Sequence, residues 1–177
     1  MKNLIVIIGM VSLIGCTSYK PIKVERYVDL DRFMGDWYVF ANIPTFIEEG
    51  AHNAVESYKK NKDGSIATTF TFNADSFDGT KKTYNPIGFV TDDNSNAIWE
   101  MQFLWPFKSD YRILYVDEKY QHTIIGRIKR DYVWVMSRTP EIESKKYNEL
   151  IRIIENSHYD ISKIKRVPQQ PLKVRAK

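Results

Sequence analysis

The chain has 177 residues, 43% hydrophobic and 14% aromatic, with a formal net charge of +4. A single cysteine, Cys16, and three separated histidines, His52, His122 and His158, exclude an intramolecular disulfide, a thiolate metal site and a paired-histidine zinc motif. No Walker-type loop, GxSxG elbow or CxxC pair occurs, which removes the sequence basis for the commonest nucleotide, serine-hydrolase and dithiol chemistries.

The first element is Lys2 followed by an apolar run from Leu4 that closes on Leu13-Ile14-Gly15-Cys16. About a dozen apolar residues fall short of the roughly 20 that a spanning helix needs. A charged start, a short apolar core and a small residue make an export signal. The ending resembles the bacterial lipobox, which implies that residues 1–15 are a lipoprotein signal peptide and that Cys16 is acylated. An ordinary signal peptide with an incidental cysteine is the alternative. By the same resemblance, Thr17, where an Asp would retain the protein at the inner membrane, implies the outer membrane, facing the periplasm. Residues 16–28, with Pro21, mixed charges and no sustained period, read as a tether. About ten extended residues would hold a domain within roughly 30–35 Å of the bilayer.

Asp29-Leu30-Asp31-Arg32-Phe33-Met34-Gly35 predicts a short turn of helix. Eight strand-like segments follow: 36–43, 54–60, 65–73, 82–91, 98–104, 111–116, 123–128 and 132–137. Polar turns such as Asp63-Gly64 and Asp78-Gly79 separate them. Alternation is clearest in Ile66, Thr68, Phe70 and Phe72, in Trp99, Met101 and Phe103, and in Tyr111, Ile113 and Tyr115. Regular short strands without intervening helices indicate an all-β sandwich or barrel. Residues 140–156 then change period, with Tyr147, Leu150, Ile151 and Ile154 on one stripe. Pro140 suits the first position of that helix, with Glu141 and Glu143 in its first turn. Its polar face requires water, so it packs outside the sheet. A short extended piece, 161–167, leads to Pro168-Gln169-Gln170-Pro171 and a basic tail, 172–177. An anionic membrane surface or bulk solvent are equal candidates to face that tail. Nucleic acid is a poor partner for an exported chain.

This order resembles the lipocalin family: an all-β, eight-stranded up-and-down antiparallel barrel with a C-terminal α-helix packed outside. Three motifs carry the resemblance: Gly35-Asp36-Trp37-Tyr38, Asp117-Glu118-Lys119-Tyr120, and Trp134-Val135-Met136-Ser137-Arg138. Phe103-Leu104-Trp105-Pro106-Phe107, Arg130-Asp131-Tyr132 and Pro168-Gln169-Gln170-Pro171 resemble segments of the bacterial outer-membrane lipoprotein branch, with the apolipoprotein D branch more distant. The resemblance spans 29–171, the expected lipocalin domain. Asn42, Glu56 and Trp105 depart from the family pattern and bear on the shape of the pocket.

The resemblance implies that Trp37 and Arg138 stack at a closed barrel end, with Gly35 giving the tight turn into the first strand. It leaves the opposite end open to one small ligand. Trp99, Met101, Phe103, Tyr111, Ile113, Tyr115 and Trp134 are the expected lining, with Phe70, Phe72, Val39 and Ala41 as weaker candidates. Plain core filling is the alternative for each. Phe46, Trp105 and Phe107 fall in loops suited to an apolar rim. The expected ligand is a fatty acid or lysophospholipid, bound for lipid storage, transport or outer-membrane maintenance. No cofactor and no metal are expected, and a homodimer is compatible with the sequence. A filled, purely structural barrel is the competing class. An enzyme is the weakest one, since the thiol is committed to Cys16 and Glu56 is a lone carboxyl.

Overall fold

The computed structural model describes residues 19–175, so Cys16 and its expected acylation lie outside the described residues. Ten strands form one antiparallel sheet: β1 (Gly35–Ile43), β2 (Ala51–Lys60), β3 (Ile66–Ala74), β4 (Lys81–Tyr84), β5 (Ile87–Val90), β6 (Ile98–Leu104), β7 (Phe107–Val116), β8 (His122–Gly126), β9 (Val133–Ser137) and β10 (Lys165–Arg166). β9 pairs back onto β1 and closes the sheet into an eight-stranded barrel. β4 and β5 share one position in the ring. The sequence reads them as a single strand, but Pro86 has no N–H to donate, and the ladder breaks around it. β4 pairs with β3 at 70–73, and β5 pairs with it at 66–67.

The helical turn α1 (Leu30–Phe33) plugs one end. Asp29 caps it, accepting from the backbone N–H of Asp31 at 3.0 Å and of Arg32 at 3.2 Å. Phe33 projects into the barrel, its ring 5.1 Å from Trp37 and 5.7 Å from both Tyr58 and Trp99. By strand direction, the loops 44–50, 75–80, 105–106 and 127–132 gather at the opposite end.

The helix α2 (Ser144–Asn156) lies outside the barrel, with Leu150 and Ile154 buried against a second core that includes Ala41, Leu114, Ile124, Val133 and Val135. It begins later than Pro140: Glu143 is the extended N-cap residue, so Glu141 and Glu143 do not occupy the first turn. Ile142 packs against the same outer core and keeps 140–143 extended. The expected extended piece is a 3-10 turn, Ile161–Lys163, followed by β10, which pairs with Ala41 and Asn42 of β1. Just beyond, Gln169 Nε2 donates to the Ala54 carbonyl at 3.0 Å, and Asn53 N donates to Pro168 O at 2.8 Å. The Pro-Gln-Gln-Pro segment thus fills the gap where β1 and β2 diverge.

The described residues at both termini are held against the barrel. From Lys20 onward, the expected tether 16–28 is a strap bonded to the barrel wall. The Arg130 guanidinium holds the Lys20 and Pro21 carbonyls at 3.0 and 2.9 Å. Glu25 N then donates to Ile113 O at 3.0 Å, and Val28 N to Ser95 O at 2.7 Å. The strap therefore runs from the open-end loop 127–132 to the plugged end. The described part of the basic tail is a helical turn, α3 (Leu172–Arg175). Arg175 folds back from it to lie 5.0 Å over the Tyr38 ring.

Candidate functional site

The inward faces of the strands leave a cavity of about 440 Å³ that opens between the loops 44–50 and 127–132. Its size suits a small ligand. Met101 and Phe103 of β6, Tyr111 of β7 and Trp134 of β9 lie on its wall, joined by Phe70 of β3. Four of the seven expected lining residues are therefore together.

Three are not. Trp99 is fully buried below the cavity, stacked on Tyr111 at 5.3 Å and edge-on to Phe33, so it belongs to the plug. Ile113 is fully buried in the same inner core. Tyr115 points out of the barrel. The β7–β8 register slips between Ile113 and Tyr115, so an extra residue on β7 reverses the alternation beyond it. Tyr115 consequently sits with Leu114 and Ile153 in an outer groove between strap and helix. A second bulge in β1, between Val39 and Ala41, turns Ala41 outward under α2. Among the weaker candidates, Val39 and Phe72 remain in the inner core but not on the cavity wall.

At the plugged end, Gly35 adopts φ +92°, a conformation open to glycine, with Arg138 packed over the place of a Cβ. The Arg138 guanidinium lies 3.8 Å above the Trp37 ring. It donates to the carbonyls of Asp36, Arg32, Phe33 and Met34 at 2.7–3.0 Å, which satisfies the last turn of α1. Burial lowers its pKa to about 10. Trp37 Nε1 donates to Phe33 O at 2.9 Å.

The cavity wall also carries polar groups that no periodicity singles out. Glu48, in the first open-end loop, is buried and accepts from Thr45 N, Thr45 Oγ1 and Trp134 Nε1 at 2.9, 2.8 and 2.8 Å. Burial nonetheless raises its pKa. Glu56, on the inward face of β2, accepts from the Tyr58 hydroxyl, which lies 2.7 Å from the Tyr111 hydroxyl. Burial, with a further contribution from Glu48, pushes Glu56 up to about 8, so at neutral pH it carries a proton. Asp110 and Arg127 mark the mouth. Asp110 is paired with Arg112 Nε at 2.8 Å, and Arg127 with Asp131 at 3.5 Å. Sequence offers no signal for Glu48 or Arg127, because a charged loop residue ordinarily faces water.

The loop residues Phe46 and Trp105 are 88% and 80% exposed, and Phe107, which opens β7 rather than lying in a loop as expected, is 73% exposed; Phe103 and Leu104 extend the same apolar rim. Among the described residues, no helix is long and apolar enough to cross a membrane.

Known proteins show the same plan. The profile of the Lipocalin-like domain matches residues 28–169. Temperature-induced lipocalin-1 of Arabidopsis thaliana is 30% identical over 162 residues, covering 86% of each chain. Outer membrane lipoprotein Blc of Citrobacter freundii is 29% identical over 165 residues, covering 86% of this chain and 87% of its own. Among solved structures, insecticyanin from the tobacco hornworm Manduca sexta superposes with a TM-score of 0.69 at 16% identity, over 86% of this chain and 87% of that one. The motifs, the closed barrel with its outer helix and these matches agree: the chain belongs to the lipocalin family.

Proposed function

We propose that the protein is a membrane-anchored, lipid-binding lipoprotein that takes a single-chain lipid into its barrel and serves lipid storage, transport or outer-membrane maintenance. The open cavity of about 440 Å³ carries this reading and speaks against a filled, purely structural barrel. A chain that buries ten methylenes there gains about 8 kcal/mol before ordering costs, at roughly 0.8 kcal/mol for each. The exposed rim of Phe46, Trp105 and Phe107 offers a contact with acyl chains at the membrane surface. Fatty acids and lysophospholipids are the single-chain classes that the resemblance to the bacterial outer-membrane lipoproteins suggests. The anchor is the acylated Cys16, in the outer membrane and facing the periplasm. The name of the Citrobacter freundii relative, outer membrane lipoprotein, supports that placement. The role is binding rather than catalysis.

Displacement of a fluorescent single-chain lipid from the purified protein tests the reading. Saturable binding at micromolar lipid, weakened when Met101→Trp narrows the cavity, is the expected result. A folded protein that binds no single-chain lipid would return the filled-barrel reading to first place.

A further inference from the structure

Two acidic side chains face one apolar cavity with no cation to match them. Among the described residues no lysine or arginine pairs with Glu48 or Glu56; the partners of both are neutral donors. The other charges at the wall are already matched: Asp110 by Arg112, and Arg127 by Asp131. Ionising a buried carboxyl without a cationic partner is costly, so such a group holds its proton until a ligand supplies the positive charge.

A second observation points to the same place. Thr68 is only 3% exposed, yet its Oγ1 has no hydrogen-bond partner. It lies on the inward face of β3 and on the cavity wall. Buried hydroxyls are nearly always paired, so this orphan at the cavity wall is a polar group left for something entering the cavity to satisfy. In the β2–β3 ladder Tyr58 opposes Thr68 and Glu56 opposes Phe70. Glu56 and Thr68 are therefore diagonal neighbours on one face of the sheet.

The geometry points to a lipophilic primary amine as the preferred ligand class, its ammonium against Glu56 and Thr68 and its apolar body directed to the rim of Phe46, Phe103 and Trp105. An ammonium has three donors and no acceptor. The Glu56 carboxylate and the Thr68 hydroxyl take two of them, and Glu48 adds negative charge from the mouth side. A carboxylate placed at that depth would meet two acids instead. Its one favourable contact is Arg127 at the mouth, whose Nε makes no hydrogen bond but whose charge Asp131 already balances. This inference rests on the barrel being a lipid-binding cup and selects the head group within it.

The test compares decylammonium, decanol and decanoate, one chain length with three head groups, by titration calorimetry on the purified protein at pH 7. Decylammonium is expected to bind at least tenfold tighter than decanol, and decanoate most weakly. Binding of the cation should ionise Glu56 and release a substantial fraction of a proton at pH 7, read from heats in two buffers of different ionisation enthalpy. Decanol should release none. Glu56→Gln should lower decylammonium affinity at least tenfold, abolish the proton release and narrow the gap to decanol. If that variant does not fold, the ligand order and proton count of the parent decide. Decanoate binding as tightly as decylammonium, with decanol also bound, overturns the amine preference and leaves the lipid-binding reading intact. A folded protein that binds none of the three overturns both.

Discussion

Replacing Trp37 with alanine attacks the plug without touching the cavity. The side chain is fully buried, donates to Phe33 O at 2.9 Å and lies 3.8 Å beneath the Arg138 guanidinium. Removing a large buried aromatic costs about 3–5 kcal/mol, and the stacked cation contributes about 0.5–2 kcal/mol within that loss. We expect a total of about 4 kcal/mol, which for a domain of this size lowers the thermal midpoint by about 8–16 °C. Urea unfolding followed by circular dichroism measures the loss directly, with an unchanged slope showing that the unfolded reference is the same. Trp105→Ala is the control: at 80% exposure it should shift stability by no more than about 0.5 kcal/mol. A double-mutant cycle with Arg138→Leu should return a coupling of at least about 0.5 kcal/mol. If Trp37→Ala unfolds within about 1 kcal/mol of the parent, or no worse than Trp105→Ala, the plug does not hold the barrel in the way its geometry implies.

Three further outcomes follow from the same geometry. The Glu56 carboxyl has its folded pKa raised from 4.5 to about 8, so the folded state binds more protons than the unfolded state across that window. Stability is then greatest below the lower value and falls as pH rises through the window; urea midpoints at pH 5, 7 and 9 should decline in the parent and decline less in Glu56→Gln, where the raised Glu48 remains. Trp105→Ser with Phe107→Ser should slow lipid uptake from vesicles several-fold while leaving the urea midpoint unchanged; equal uptake would separate the rim from the membrane. Cys16→Ser should abolish incorporation of labelled palmitate and move the protein from the membrane to the soluble fraction, whereas continued labelling would place the lipid elsewhere.

The alternation of Ile66, Thr68, Phe70 and Phe72 places a strand and its inward face correctly, because a two-residue period has one face to bury. The same logic misplaces Tyr115 and Ala41. A bulge inserts a residue without changing composition, so nothing in the letters marks where the faces exchange. Trp99 keeps its inward face but lies too deep, since height along the barrel depends on how far the Phe33 plug reaches. Glu56 stands out in the sequence as a departure from the family pattern, but its companion Glu48 does not. Glu48 becomes part of the site only because its loop turns inward to meet Trp134. The polar half of the site is thus a tertiary product, whereas the apolar half is periodic.

The strap begins at the open end, where Arg130 clamps Lys20 and Pro21. Four residue steps separate Cys16 from Lys20, a reach of about 14 Å at full extension. The ten-residue strands β2 and β7 run about 33 Å, which at the usual barrel tilt makes walls about 25 Å tall. On the proposed acylation of Cys16, so short a leash cannot let the plugged end turn to the bilayer; it keeps the cup tipped onto its lips. A ligand then passes between leaflet and barrel without a journey through bulk water. The clamp also makes that transfer effectively intramolecular, with capture governed by local concentration at the surface rather than by the amount of free lipid in the surrounding fluid.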